Sequence, residues 1–277
     1  MNVELHSHTH YSQSKAIRHE WLNSPKEMVE YAKKIGLGAI AITDHNMIKG
    51  SVEAKKFSKK YGIVILKGEE VTTEKGHILA IGINEEIKPK LSVIETIELI
   101  HEQGGIAIAS HPFDIRNKGI GIDAKKCDAM EAFNAMNLER IANWNAKKFS
   151  QKNSIPGVAT SDAHCKEMLG YGITRVNACD EDSIIKEIKK GRIKSKGRYL
   201  PAKLVTDWTV TRLKISYSDV IDYMNENYSW PKRTVAKKML SLVEQSPGNI
   251  DYLFKVMAYI SIGGVIIYSA SRELFGD

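Results

Sequence analysis

Cysteine is scarce in this 277-residue chain, and the three residues present, Cys127, Cys165 and Cys179, lie far apart. An odd, widely spaced set supplies neither a disulfide framework nor a zinc-knuckle spacing, and it leads us to expect a reducing, cytoplasmic compartment. No N-terminal signal is expected either, because Met1 runs straight into a strand carrying candidate metal ligands. The uncharged stretch Val256–Ser271 falls short of the roughly 20 residues that span a bilayer, and it contains Gly263-Gly264. It reads as a buried or oligomer-forming helix, and membrane association is not expected. The chain carries no RNA-binding aromatic motif, zinc finger, internal repeat or low-complexity tract, so dedicated nucleic-acid recognition has no support. The net charge of +7 reads first as a lysine-rich solvated surface. Its functional alternative is attraction of phosphate-bearing or nucleic-acid substrates.

What the chain does have is histidine in the company of carboxylates. In Glu4-Leu5-His6-Ser7-His8-Thr9 two imidazoles stand one residue apart on a reading of β-strand. Alternate strand residues share a face, so His6 and His8 can share one metal ion. Thr43-Asp44-His45, Ser110-His111-Pro112 and Ser161-Asp162-Ala163-His164 each follow an apolar run in the same way. Asp162 and His164 are expected to share a face as His6 and His8 do. Glu70 follows Gly68, with Glu69 as its competitor, and His77 opens a further apolar run. A carboxylate at Glu70 can bridge two ions. Glu131 reads either as an outer carboxylate orienting a ligand imidazole or as a partner for a surface lysine. His19 and His101 read as ordinary polar residues. Imidazoles and carboxylates without thiolates suit zinc, manganese or iron, and such a site generates hydroxide at neutral pH and clamps phosphoryl oxygens.

The surrounding pattern alternates short apolar runs with amphipathic helices up to about residue 195. Val3–His6, Ala39–Thr43, Ile63–Leu66, Ile78–Ile83, Ile106–Ala109, Ala129–Phe133 and Gly157–Thr160 read as strands, and Arg175-Val176 ends another apolar segment. Ser24-Pro25 and Ser92 open helices that Gly36 and Gly104-Gly105 close. A helix containing Val52, Ala54 and Phe57 and another over Asp182–Lys190 complete the alternation. The expected fold is therefore α/β, a parallel sheet or barrel with its reacting groups at the C-terminal ends of strands. Residues 196–277 read as a helical extension, with helices over Tyr217–Tyr228 and Thr234–Gln245 separated by Trp230-Pro231 and a last helix from about Asn249.

Over roughly residues 1–195 the chain resembles the polymerase and histidinol phosphatase (PHP) family. The resemblance rests on Leu5-His6-Ser7-His8-Thr9 with Ser12, Ile42-Thr43-Asp44-His45, Gly68-Glu69-Glu70, Gly76-His77, Ser110-His111-Pro112 and Ser161-Asp162-Ala163-His164, in that order. It implies a distorted seven-stranded (β/α) barrel holding two or three divalent ions, manganese, zinc or iron. Carried over, His6, His8, Glu70 and Asp162 hold one ion; Glu70, His77 and His111 hold a second; His45 and His164 hold a third. Many members carry an acid after the serine matching Ser12, where this chain has Gln13. The third ion would then be absent, weakly held, or completed by water or substrate phosphate.

The chemistry shared by the family is phosphate-ester hydrolysis. The resemblance implies a hydroxide bridging the ions near Glu70 that attacks phosphorus in line. His45, Asp162 and His164 are the candidates for catalytic roles, with His45 or His164 protonating the leaving group. Arg116 follows the His111 motif directly, and its planar fork suits a phosphate; otherwise it is a loop arginine paired with Asp114. The expected substrate is a small phosphomonoester or nucleotide, with exonuclease action on short DNA or RNA as the alternative and a non-catalytic scaffold as a further one. The C-terminal helices are expected to pair copies of the chain in a homo-oligomer.

Overall fold

The computed structural model describes residues 1–12, 22–116, 118–138 and 140–275. Gln13 and His19 lie outside the described residues.

Among the described residues, strands β1 (Asn2–Glu4), β2 (Ala39–Ile42), β3 (Val64–Thr72), β4 (His77–Ile81), β5 (Ile106–Ala109), β6 (Ala129–Asn134), β7 (Gly157–Thr160), β8 (Gly172–Val176) and β9 (Ile193–Gly197) form one sheet. Their order is β7-β6-β5-β4-β3-β2-β1-β8-β9. The two ends of this order meet: Thr174 of β8 receives the Ala159 amide of β7 at 3.0 Å, and Ser195 of β9 donates to Gly157 O at 2.7 Å. The sheet thus curls into a nearly closed barrel. β2 and β5 are short continuous apolar runs because both of their faces are covered, and every residue of the two is buried.

Helices α1 (Pro25–Lys34), α2 (Lys49–Lys55), α3 (Ser58–Tyr61), α4 (Val93–Glu102), α5 (Ile141–Lys152) and α6 (Glu181–Lys189) accompany the barrel. The serines that open α1 and α4 behave as their sequence context requires. Ser24 Oγ accepts from Glu27 N, and the Glu27 carboxylate accepts in return from Ser24 N; Ser92 and Glu95 repeat the exchange. Gly36, at φ +82°, takes the left-handed turn that ends α1.

The strict parallel alternation does not hold. β4 pairs antiparallel with both β3 and β5, and β8 pairs antiparallel with β1 and β9. Four residues, Thr73 to Gly76, join β3 to β4, too few for the crossover that parallel neighbours need, so the chain makes a hairpin. β3 also runs on through Glu69 and Glu70 to Thr72, beyond the apolar run that announced it. Neither α5 nor β9 stands out in the sequence. Arg140 precedes α5 in a left-handed conformation without a side-chain cap, and β9 is a mostly exposed, lysine-bearing edge.

Beyond the barrel follow α7 (Ala202–Ile215), α8 (Tyr217–Asn227), α9 (Trp230–Ser241) and α10 (Ile250–Phe275). The expected boundary at residue 195 falls inside β9, and α7 was not anticipated. Trp230-Pro231 does not separate two helices but opens α9, with Ser229 as N-cap and Pro231 in the first turn, where its missing N–H costs nothing. Val210, Val220, Leu240 and Val243 form a small core between these helices. Trp208 of α7 instead joins the barrel's own core beside Met28, Cys165, Met168 and Leu200. Among the described residues no helix is long and apolar enough to cross a membrane.

Candidate metal centre

The eight residues expected as ligands come together at one rim of the barrel. Each parallel strand delivers its group just past its C-terminal end: β1 delivers His6 and His8, β2 His45, β5 His111, and β7 Asp162 and His164. Because β4 is antiparallel, its first residue, His77, arrives at that same rim; it pairs with Thr72 at the end of β3. Backbone ladders extend past the strands to lock the arrangement. Ser7 bridges to Ala163 and His45 to Glu70, supported by His8 N to Ala163 O at 2.9 Å and Glu70 N to Asp44 O at 3.0 Å.

Glu70 stands at the centre. Its Oε2 lies 3.0 Å from His45 Nδ1, 3.4 Å from His6 Nε2 and 3.5 Å from His8 Nε2. Its Oε1 lies 3.0 Å from His77 Nδ1 and 3.1 Å from His111 Nε2. Asp162 Oδ1 lies 3.3 Å from His8 Nε2, 3.5 Å from His6 Nε2 and 3.6 Å from His164 Nδ1. Converging donor atoms form three groups: His6, His8 and Glu70; His45, Glu70 and His77; His8, Asp162 and His164. His45 is thereby grouped with Glu70 and His77 rather than with His164, which lies beside His8 and Asp162. The expected extended alternation at Asp162 and His164 is not present. Asp162 adopts φ +51°, and the turn it makes carries His164 Nδ1 to 2.8 Å from the Asp162 carbonyl oxygen.

His111 also has a left-handed backbone, at φ +27°. Two non-glycine candidate ligands in this sparsely occupied region mark a rim whose backbone is bent to aim side chains. Glu131 underwrites both bends. Its Oε2 accepts from His111 N at 2.6 Å and from Asn134 Nδ2 at 2.8 Å, and the same amide nitrogen reaches Asp162 Oδ2 at 3.2 Å. Its Oε1 accepts from Thr160 Oγ1 at 2.6 Å and faces His6 Nδ1 at 2.8 Å. Glu131 is therefore the outer carboxylate of the two alternatives, orienting an imidazole, with no surface lysine involved. Glu69, the competitor of Glu70, points away from the site: it is buried and accepts from Ile87 N at 2.6 Å.

Charge at the rim is strongly polarised. Burial works against ionisation of Glu70, but His45, His77 and His6 beside it and the hydrogen bond from His111 hold it well below the usual carboxylate range. Asp162 is depressed against burial in the same way, by His6, His8 and His164. Burial also opposes charge on His6, yet Asp162, Glu70 and Glu131 raise it well above its ordinary value, whereas burial drives His8 well below it. His6 Nε2 and His8 Nε2 stand 3.1 Å apart. Two imidazole nitrogens at that distance need a proton or a cation between them, and carboxylate oxygens of Glu70 and Asp162 converge on the same point. A divalent cation would satisfy the same donors more fully, and the mix of imidazole and carboxylate suits zinc, manganese or iron.

Two carboxylates to which the sequence reading gave no role hold the ligand-bearing segments. Glu4 Oε1 accepts from the amides of Leu5, His6 and Ser161 at 3.2, 3.3 and 2.9 Å, and Oε2 accepts from Gly170 N at 3.3 Å. Asp44 Oδ1 accepts from Thr9 N at 2.6 Å and Ser12 Oγ at 2.8 Å, and Oδ2 from Thr9 Oγ1 at 2.7 Å. A side chain at Gly50 would overlap the Asp44 carboxylate and Thr9, so only glycine lets α2 pass here. An acid inside an apolar strand, as in Val3-Glu4-Leu5, was the signal available. Arg116 lies in the loop that follows His111, where its Nε donates to Asp114 at 2.9 and 3.1 Å. His101 pairs with Asp128 on the exposed surface.

The chain has relatives among known proteins. Residues 4–108 match the PHP domain family and residues 140–193 the PHP-associated family. An uncharacterized protein of Methanocaldococcus jannaschii is 41% identical over 152 residues, 52% of this chain and 87% of that protein. A PolC-type DNA polymerase III of Oceanobacillus iheyensis is 46% identical over 68 residues, 24% of this chain but only 4% of the polymerase. Among solved structures, a two-domain protein containing a predicted PHP-like metal-dependent phosphoesterase from Bacteroides vulgatus superposes with a TM-score of 0.60 at 18% identity, covering 72% of this chain and 65% of that one.

Proposed function

This chain belongs to the PHP family, and on that premise we propose that it is a metal-dependent phosphoesterase acting on a small phosphomonoester or a nucleotide. The observation that carries the reading is Glu70, one buried carboxylate contacted through both oxygens by five imidazoles. That is the arrangement of a ligand shared between ions. In this proposal His6, His8 and Glu70 hold one ion, and His45, Glu70 and His77 hold a second, with His111 on the same Glu70 oxygen. His8, Asp162 and His164 offer a third place. Divalent ions, when bound by these residues, would supply hydroxide at neutral pH and neutralise charge on the phosphoryl oxygens.

The chain's own groups do the rest. Glu131 and Asn134 keep His6, His111 and Asp162 aimed. His45 is committed to the second ion in this reading, whereas the His164 side chain, 13% exposed, opens toward solvent and, with the third place empty, could deliver a proton to the leaving oxygen. Asp114 orients the Arg116 fork for a substrate phosphate. The test is manganese-dependent phosphate release from a panel of phosphomonoesters, with His8→Ala as control. Turnover that disappears in the control is expected; turnover that persists unchanged in it sinks the proposal.

A second reading, exonuclease action on short DNA or RNA, draws on the local similarity to the PolC-type polymerase and on the net charge of +7. Shortening of a single-stranded oligonucleotide, with binding that falls steeply with salt, would favour it over the monoesterase. We also propose that copies of the chain pair through α10, which leaves Tyr252, Tyr259, Ile260 and Ile267 more than half exposed. A solution mass of one chain would refute that pairing.

A further inference from the structure

The matched family segments end at residue 193, yet the next element to pack on the barrel reaches the metal centre. Trp208, in the middle of α7, lies with its ring centroid 4.8 Å from that of His164, the planes 68° apart. That edge-to-face geometry sets the positive rim of one ring against the electron-rich face of the other. Trp208 is only 7% exposed, and its neighbours in the core include Cys165, Met168 and Leu169, which follow His164 in the chain. The Arg212 guanidinium lies 4.0 Å from the indole ring and helps fix it in place. On its other side the His164 ring is 4.9 Å from His8.

We propose that Trp208 is a positioning residue for His164, and that α7 is therefore a working part of the metal centre rather than an appended helix. The inference rests on the phosphoesterase reading above. A carbonyl oxygen can only accept, so the 2.8 Å contact of His164 Nδ1 with Asp162 O puts the ring proton on Nδ1 and leaves Nε2 as the nitrogen with a lone pair. His164 sits on a turn, with Asp162 at φ +51° just before it. Asp162 O holds one ring nitrogen, and the indole packed edge-to-face on the ring would limit rotation about its Cβ–Cγ bond. Without the indole, the imidazole can flip and lose its defined tautomer, and the group formed by His8, Asp162 and His164 loses a donor.

Two measurements test this on the full chain. In metal-stripped protein, histidine ¹⁵N NMR is expected to show His164 as the Nδ1–H tautomer, and Trp208→Leu, which keeps the core filled without an aromatic edge, to show mixed tautomers. Calorimetric manganese titration is expected to show the weakest class of site lost or weakened by about 10–100-fold in Trp208→Leu, the cost typical of losing an outer partner of a ligand. Trp208→Phe should restore most of it. Leu204→Ala removes packing of α7 on the same core while leaving the Trp208 ring in place, so it should lower the unfolding temperature and leave the titration unchanged. An unchanged tautomer and unchanged titration in Trp208→Leu overturn the proposal, as does a Leu204→Ala variant that loses manganese equally. If the wild-type protein binds none of manganese, zinc and iron(II), the phosphoesterase reading falls, while the tautomer measurement still decides the role of Trp208.

Discussion

Glu69 and Glu70 are adjacent, both buried, and face opposite sides of β3, yet they ionise in opposite directions. Glu70 faces the rim among five histidines and is held well below the ordinary carboxylate range. Glu69 faces the covered outer side, accepts one amide hydrogen bond, leaves Oε2 without a partner, and is pushed up to about 7, chiefly by burial. Glu4 and Asp44 side with Glu69: burial lifts them to about 7 and about 6 despite several hydrogen bonds each. Burial is common to all four, so the partner decides. Neutral amides and hydroxyls do not repay desolvation of a carboxylate, and a ring of imidazoles does. The barrel thus uses one residue type for two tasks, gathering positive charge at the rim and tying backbone segments together beneath it.

The sharpest break of that comparison is Glu70→Gln. The amide fits the same volume but cannot serve two cations through two anionic oxygens. Metal content and turnover should both fall, and by more than the roughly 100-fold that follows loss of an outer partner. Elemental analysis alongside phosphate release reads both, and retention of the full metal complement would refute the bridging role. Glu4→Ala probes the other class. It strips the acceptor from three buried N–H groups at the β1 and β7 ends and from the half-buried Gly170 N–H ahead of β8, with an expected stability loss of about 3 kcal/mol or more. Denaturant unfolding measures it, and a loss below ~1 kcal/mol would mean the amides find water instead.

Much of this site was legible because its chemistry is written in local clusters. His6, His8, His45, His111, Asp162 and His164 each follow a buried run, and buried runs of that length are strands whose ends share a rim. The groupings were not legible. His45 belongs with Glu70 and His77 because β2 and β3 are parallel neighbours and β4 returns antiparallel, facts set by pairing between distant segments. The turn at Asp162 was hidden for a related reason: a left-handed aspartate is stabilised by contacts from Asn134 that no local pattern announces. Trp208 was invisible as a site residue because α7 has weak amphipathic spacing and earns its place only by docking on the barrel. Capped helices, by contrast, need no distant partner, and Ser24 and Ser92 marked theirs without error.

Glu69→Gln is the smallest of these effects and the one that best isolates burial from function. The folded-state value of about 7 lies above the ordinary 4.5, so between those values the folded protein binds more protons than the unfolded chain. Wild-type stability therefore falls as pH rises from 4.5 to 7 and, for this group, levels off above 7. Glutamine keeps the oxygen that accepts from Ile87 N and cannot ionise. Near pH 4.5 the variant should be somewhat less stable than the wild type, by the cost of the amide hydrogens it leaves unpaired; it should gain on the wild type through the window and be more stable by about 1–2 kcal/mol at pH 8. Thermal unfolding of metal-free protein across that range is the measurement. A stability difference that does not change with pH would mean Glu69 stays ionised in the fold, and the contrast between the two faces of β3 would then rest on Glu70 alone.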